Sequence, residues 1–423
     1  MRRNEPWLPI SSKSSYSRGS HFGSSGLSIA LALKVILVIV VLAIVGSIVQ
    51  FLRPVPPPEA RATLTGSYVP GAKPSLPWPP NAGGEVVIQN VGTVSSLNAD
   101  KEFPLGSVAK LITALVVIKD HPLALGATGP TIPVSQSDVA LYQTMQSQQD
   151  SVIPVTLGEA LNEYELLEAL LVPSANNFAD MAANWDAGSN SAFLAKMNAY
   201  VKSLGLHRTV LQGPSGLNPH TVGSAHDQIV IAQEVLKNPI LSQIVAQPQV
   251  TLPNVGVVYN IDYNVGHNGF LGIATGTMGG GGNFVFAATG TSNSKDAILG
   301  AILGDPGVQP LISALNEGTA LVNGARRVPN EIEVLNTSQT VAQISVPGMN
   351  PVRVRPAKSV LLVAWPGLKV NYHAAFSKLK SSMPAGSKVG TVTVSIGNQS
   401  QTVPLVTEKP VGTPSIKWRL TRL

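Results

Sequence analysis

After Lys34 the chain runs from Val35 to Leu52 without a charge, VILVIVVLAIVGSIVQFL. A hydrocarbon core about 30 Å thick takes about 20 apolar residues as a helix. Inside it no water can pair with the backbone, so a segment of this kind crosses as a helix. The apolar character begins at Leu27, and Lys34 can carry its ammonium back to the headgroups along its own alkyl stem. Upstream stand Arg2, Arg3, Lys13 and Arg18 against the single acid Glu5. The excess of positive charge on inward-facing segments then predicts a cytoplasmic tail (1–26), a transmembrane anchor (27–52) and everything after Arg53 outside the membrane. A cleaved signal peptide is the competing reading, because Ala60-Arg61-Ala62 offers a small-residue cleavage site. The apolar stretch exceeds an ordinary signal core and RPVPPPEA separates it from that site, so an uncleaved anchor is expected.

Prolines crowd the next segment, PVPPPEA and PSLPWPP, which predicts an extended spacer over residues 53–83. At Gly84 the pattern changes. GEVVIQN and GTVSSLN read as a hairpin, and EFPLGSVAKLITALVVIKD starts a helix after Gly106. Helical spacing follows in GEALNEYELLEALLV, NNFADMAANW, SAFLAKMNAYVKSLG and SAHDQIVIAQEVLK, and strands return in NFVFAAT and AILGAILG. Strands at both ends with helices between them predict a central sheet flanked by helices, α+β or α/β, over 84–322. From 323 to 423 the helical period fades. VAQISVP, VRVRP, SVLLVAW, GTVTVSIG and SQTVPLV are short strands between Pro, Gly and Asn, which predicts a small all-β domain.

Charged residues make up only 12% of the chain and hydrophobic ones 44%, which excludes a disordered chain. The net charge is +6, but the basic residues are scattered and no aromatic residues interleave with them, so no nucleic-acid partner is expected. The seven histidines form no HExxH and no ligand-like cluster, which argues against zinc peptidase chemistry.

Three short motifs carry chemistry. In Ser107-Val108-Ala109-Lys110 the hydroxyl and amine share one helix face, and a desolvated lysine can act as the base that a serine nucleophile needs. Ser377-Lys378-Leu379-Lys380 has the same form but reads as surface. Ser107 differs because an apolar helix follows it. Next comes Ser174-Ala175-Asn176, where the serine can relay a proton and the asparagine amide can grip a substrate carbonyl. Ser96-Leu97-Asn98 repeats that pattern by chance, and the ordinary role of Ser174 is a helix N-cap. The third stretch, GIATGTMGGGG, lacks a strand–GxGxxG–helix context and a GxxxxGK[ST] pattern, so it is not a phosphate loop. It precedes NFVFAATG as an edge strand entering a sheet would.

Ser-x-x-Lys, Ser-x-Asn and a Thr-Gly strand in this order resemble the penicillin-recognising serine enzymes. PLGSVAKLITA, LLEALLVPSANNFADMAA, MNAYVKSLGL, GPSGLNP and SAHD narrow this to the D-alanyl-D-alanine carboxypeptidases of the low-molecular-mass penicillin-binding group, over about residues 84–305. The resemblance implies an α+β, serine β-lactamase-like domain with a central antiparallel sheet, followed by an appended β sandwich. It implies a serine acyltransferase on peptidoglycan stem peptides, inhibited covalently by β-lactams and needing no cofactor or metal. Ser107 would be the nucleophile, Lys110 the base, and Ser174 and Asn176 assistants, with the N–H groups of Ser107 and Thr277 as oxyanion hole. Ala274, Thr275, Gly276 and Thr277 would face the substrate.

The third motif departs from the family pattern. Lys-Thr-Gly is expected there, and the chain reads Ala274-Thr275-Gly276. The missing lysine would grip the substrate's terminal carboxylate, a contact worth about 1.5–3 kcal/mol. His267 and Lys295 are the nearby cations in sequence, whereas Ala297 and Ile298 occupy the start of the next strand, where relatives often carry a basic residue. Three readings remain: a carboxypeptidase with weakened or relocated carboxylate recognition, an endopeptidase on cross-links, and a peptidoglycan-binding module that does no chemistry.

Overall fold

A computed structural model describes residues 25–290 and 296–422. Its first element is the helix Ser25–Leu52, of which Ile29–Leu52 has a mean hydropathy of 3.1 with none of its most apolar stretch buried. Pro54 ends it. Proline offers no N–H and pushes Arg53 out of the helical region.

The core of the molecule is a five-stranded antiparallel sheet. Its order is Phe270–Met278, Gly281–Ala288, Ile298–Asp305, Gly83–Ile88 and Gly92–Leu97. Gly281–Ala288 is buried at every position, as a strand covered on both faces must be. Alternation along it splits the interior in two. Val285 and Ala287 join a helical core, while Phe284, Phe286 and Ala288 face the helix Pro310–Ala325 and the C-terminal strands. At the centre of the helical core lies Lys110–Asp120, with Lys110 through Ile118 all buried. The helices Glu163–Leu171, Asn176–Ala187, Asn190–Ser203 and Ala225–Lys237 pack around it. A helix apolar on all sides has to be wrapped in this way. The α+β class with an antiparallel sheet is thus as expected, and the strand that carries Ala274 is an edge strand, as its sequence predicts.

The proline-rich segment is not a free spacer, and this corrects the reading of 53–83. Glu59–Ala62 pairs with Ala342–Ser345, and Gly66–Tyr68 pairs with Lys369–Phe376. These two strands form the opposite edges of a seven-stranded sheet whose interior is the C-terminal domain. Val69 and Leu76 are buried, and the indole N–H of Trp78 donates to Ser95 Oγ at 3.0 Å. The physical reason is local. EARA and GSY lie between the prolines and keep the N–H groups that a ladder requires. The C-terminal region also ends in a short helix, Ile416–Thr421, beyond its strands.

Candidate active site

The strand Glu102–Pro104 leads into a tight turn, then the 3₁₀ segment Gly106–Ala109, then Lys110–Asp120. Gly106 has φ +53, and a Cβ there would lie 2.7 Å from Thr277 O, so only glycine fits. Three residues per 3₁₀ turn stack positions i and i+3. That places Lys110 Nζ 2.7 Å from Ser107 Oγ, and the same ammonium reaches Ser174 Oγ at 3.1 Å.

Lys110 is only 2% exposed. Burial pushes its pKa from 10.5 down to about 7, against the raising fields of Asp180 and, more weakly, Asp150. A charged Lys110 donates to both hydroxyls. The neutral amine offers its lone pair to the Ser107 proton. A lysine poised near neutrality can therefore act as a general base.

Ser174 sits between the helix ending at Leu171 and the helix beginning at Asn176, with φ +59. The ordinary N-cap reading does not hold. Ala175 occupies the cap position with no side-chain bond, and the Ser174 hydroxyl meets Lys110 instead. A non-glycine residue in this region costs about 1–3 kcal/mol, the kind of strain retained where a side chain must be aimed. Asn176 is 3% exposed, and its Oδ1 has no hydrogen-bond partner. Its backbone N–H donates to Ser151 O at 2.7 Å. Next to it Asn177 clamps the same loop, donating to Ile153 O and accepting from Ile153 N. This clamp holds the loop that carries Asp150.

The edge strand Phe270–Met278 forms the other wall. Ala274 and Thr275 line one narrow cleft with Ser107, Lys110, Ser174 and Asn260. A Cβ on Gly276 would lie 2.9 Å from the Ser107 nitrogen and 3.0 Å from Leu105 O, so its bare backbone lets the strand touch the serine turn. Thr277 follows immediately beside Gly106. All three motifs therefore converge. Among the described residues lining the cleft, the one cation is Lys110. His267 lies in an exposed turn before the strand and does not line it. Lys295 falls outside the described residues. The surface copy of the first motif at Ser377 is exposed, and Ser96 belongs to the far edge strand of the sheet.

Three contributors escaped the sequence reading. Asp180 lies one helical turn beyond Asn176 on the same face, and burial holds its carboxyl above the usual range while Asn190 donates to it. An acid four residues after the asparagine, and so on the same helix face, was the available signal. Asp150 and Asn260 come from loops, where no periodicity marks them. Asn260 is held by its own bonds, donating to Gln247 O and accepting from Asp262 N.

A fold with a two-layered helical and sheet core and a Ser–Lys–Ser cluster at its edge strand defines a class, the penicillin-binding serine enzymes. The profile of the D-alanyl-D-alanine carboxypeptidase family of serine peptidases matches residues 82–306, more than half of the chain, and the chain belongs to that family. It is similar to the D-alanyl-D-alanine endopeptidase of Pseudomonas aeruginosa, with 30% identity over 199 residues, 47% of this chain and 57% of that one. It is also 32% identical over 154 residues to the D-alanyl-D-alanine carboxypeptidase DacB2 of Mycobacterium tuberculosis, 36% of this chain and 48% of that one. The chain thus spans about half the length of these curated relatives. Among solved structures, penicillin binding protein 6B from Escherichia coli is similar with a TM-score of 0.58 at 18% identity, covering 81% of this chain and 99% of that one. Penicillin binding protein 5 from Haemophilus influenzae gives 0.57 at 20%, covering 80% and 99%. At these identities the likeness concerns the fold, and it includes the appended β domain.

Proposed function

We propose that the protein is a membrane-anchored serine DD-peptidase that trims peptidoglycan stem peptides through an acyl-enzyme on Ser107. One observation carries this reading: a buried lysine, lowered to about 7, within 2.7 Å of one serine hydroxyl and 3.1 Å of another. A binding module has no use for that arrangement. Neutral Lys110 takes the Ser107 proton as Oγ attacks the carbonyl between two D-alanines. The oxyanion meets the N–H groups of Ser107 and Thr277. Ser174 passes the proton on to the departing amine, and the unpartnered Oδ1 of Asn176 is available to the substrate's own amide. The terminal D-alanine leaves, and water then hydrolyses the ester and restores Ser107. The test is D-alanine release from a stem pentapeptide, compared with cleavage of a cross-linked dimer. Turnover of neither would contradict the peptidase reading.

Ala274 supports a second substrate preference. With alanine in place of the motif lysine, a free terminal carboxylate finds no cation on that strand, whereas a cross-linked stem presents no carboxylate at that point. Ala274→Lys is expected to raise kcat/KM on the free pentapeptide about 10-fold or more. The gain should shrink on an amidated peptide and appear in penicillin acylation, since penicillin also bears a carboxylate. Equal gains on free and amidated peptides would contradict carboxylate recognition. They would assign the effect to the field around Lys110.

The anchor places the body outside the membrane with the N-terminus, which falls outside the described residues, in the cytoplasm. Protease added to intact spheroplasts should digest the folded body. Full protection would contradict this topology.

A further inference from the structure

The two halves of the proposed oxyanion hole come from different parts of the chain, the Ser107 turn and the Thr277 strand. Something must fix their separation. We infer that Asn283, on the central strand, is the positioning residue that does so, an inference that rests on the serine-peptidase reading above. Its backbone pairs in register with Gly276, one residue before Thr277. Its side chain reaches the other half. Nδ2 donates to Pro104 O at 2.9 Å and to Leu105 O at 2.9 Å, the last two carbonyls before Gly106 and Ser107. Asn283 thus holds the oxyanion strand by its backbone and the nucleophile turn by its amide.

The surrounding fold serves this grip. The pairing between Gly281–Ala288 and Ile298–Asp305 slips at this residue, from Gly282 opposite Asp305 to Phe284 opposite Ile302. The extra residue lies on Ile298–Asp305, where Leu303 and Gly304 together oppose Asn283, and a bulge bends the strand that carries it. Gly304, with φ +71 at the slip, donates its N–H to Asn283 Oδ1 at 2.8 Å and fixes which end of the amide faces the turn. Asn283 is fully buried, so no water can replace these bonds. Both amide hydrogens and one acceptor are spent on positioning.

Asn283→Asp keeps the shape and the acceptor for Gly304 but loses both donors. Asn283→Leu has similar shape and no charge, and it serves if the aspartate variant fails to fold. Either should slow the covalent step of penicillin acylation by about 10- to 100-fold, the size of effect that misplaced donors and reactants produce. The non-covalent affinity and the rate midpoint near pH 7 should stay put, because Lys110 is untouched. Amide exchange should rise at least about 10-fold in residues 103–109 and remain unchanged in the helix Glu163–Leu171. An acylation step within about twofold of wild type, or a loss confined to melting temperature, would overturn the inference. Exchange that rises equally everywhere would overturn it too. The exchange measurement reads the clamp even in an unacylated protein, whereas a wild type that never acylates counts against the peptidase reading alone.

Discussion

Lys110→Met will lose acylation and gain stability at neutral pH. General-base catalysis contributes typically 10²- to 10⁴-fold, and the acylation rate should fall by about that factor. In the wild type that rate should climb as pH rises through about 7, where the lysine loses its proton, and the variant should show no such step. Stability moves the other way for a reason of sign. The unfolded lysine titrates near 10.5 and the folded one near 7, so between these values the unfolded chain binds the extra proton and folding is opposed. The penalty is roughly 5 kcal/mol in full below pH 7, and it disappears as pH rises past 10.5. The lost bonds to Ser107 and Ser174 offset part of the gain. Methionine should therefore raise the melting temperature at pH 7, with the advantage shrinking toward pH 10. A stability gain that is flat with pH, or acylation that persists, would mean that Lys110 is not a desolvated base.

Gly276→Ala will cost nearly as much for a geometric reason. The added methyl would sit 2.9 Å from the Ser107 nitrogen, 3.0 Å from Leu105 O and 3.1 Å from the Val108 nitrogen. All three are backbone atoms, so the strand or the serine turn must move. Loss of one oxyanion donor costs about 10²- to 10³-fold in rate, and acylation should fall by that order. Gly213→Ala is the control, since a Cβ there meets nothing within 4 Å. Comparable rates in wild type and Gly276→Ala would show that the strand does not border the reacting carbonyl.

These two residues also mark what sequence could and could not reveal. Ser107 and Lys110 are legible because their contact is local, fixed by one helical turn. Their convergence with Ser174 and with the Thr-Gly strand is a tertiary fact, and only the order of three motifs in one chain pointed to it. The run GIATGTMGGGG resolves by position. Gly276 allows close approach, Gly279 and Gly280 turn the hairpin, and Ala274 leaves the cleft without the motif's cation. Asp180, Asp150 and Asn283 stayed hidden because each acts across the fold on a group far away in sequence. The edge strands Glu59–Ala62 and Gly66–Tyr68 were masked by the prolines around them, whose composition argues for a spacer while the residues between still pair.

The central claim is that Ser107 is a nucleophile, and intact-mass spectrometry of the protein incubated with benzylpenicillin tests it most directly. The account predicts a single covalent adduct, mapped to the peptide containing Ser107 and absent from Ser107→Ala. A wild-type protein that stays unmodified at high drug concentration would contradict it, and would make the cleft a binding site for wall peptides rather than an active one.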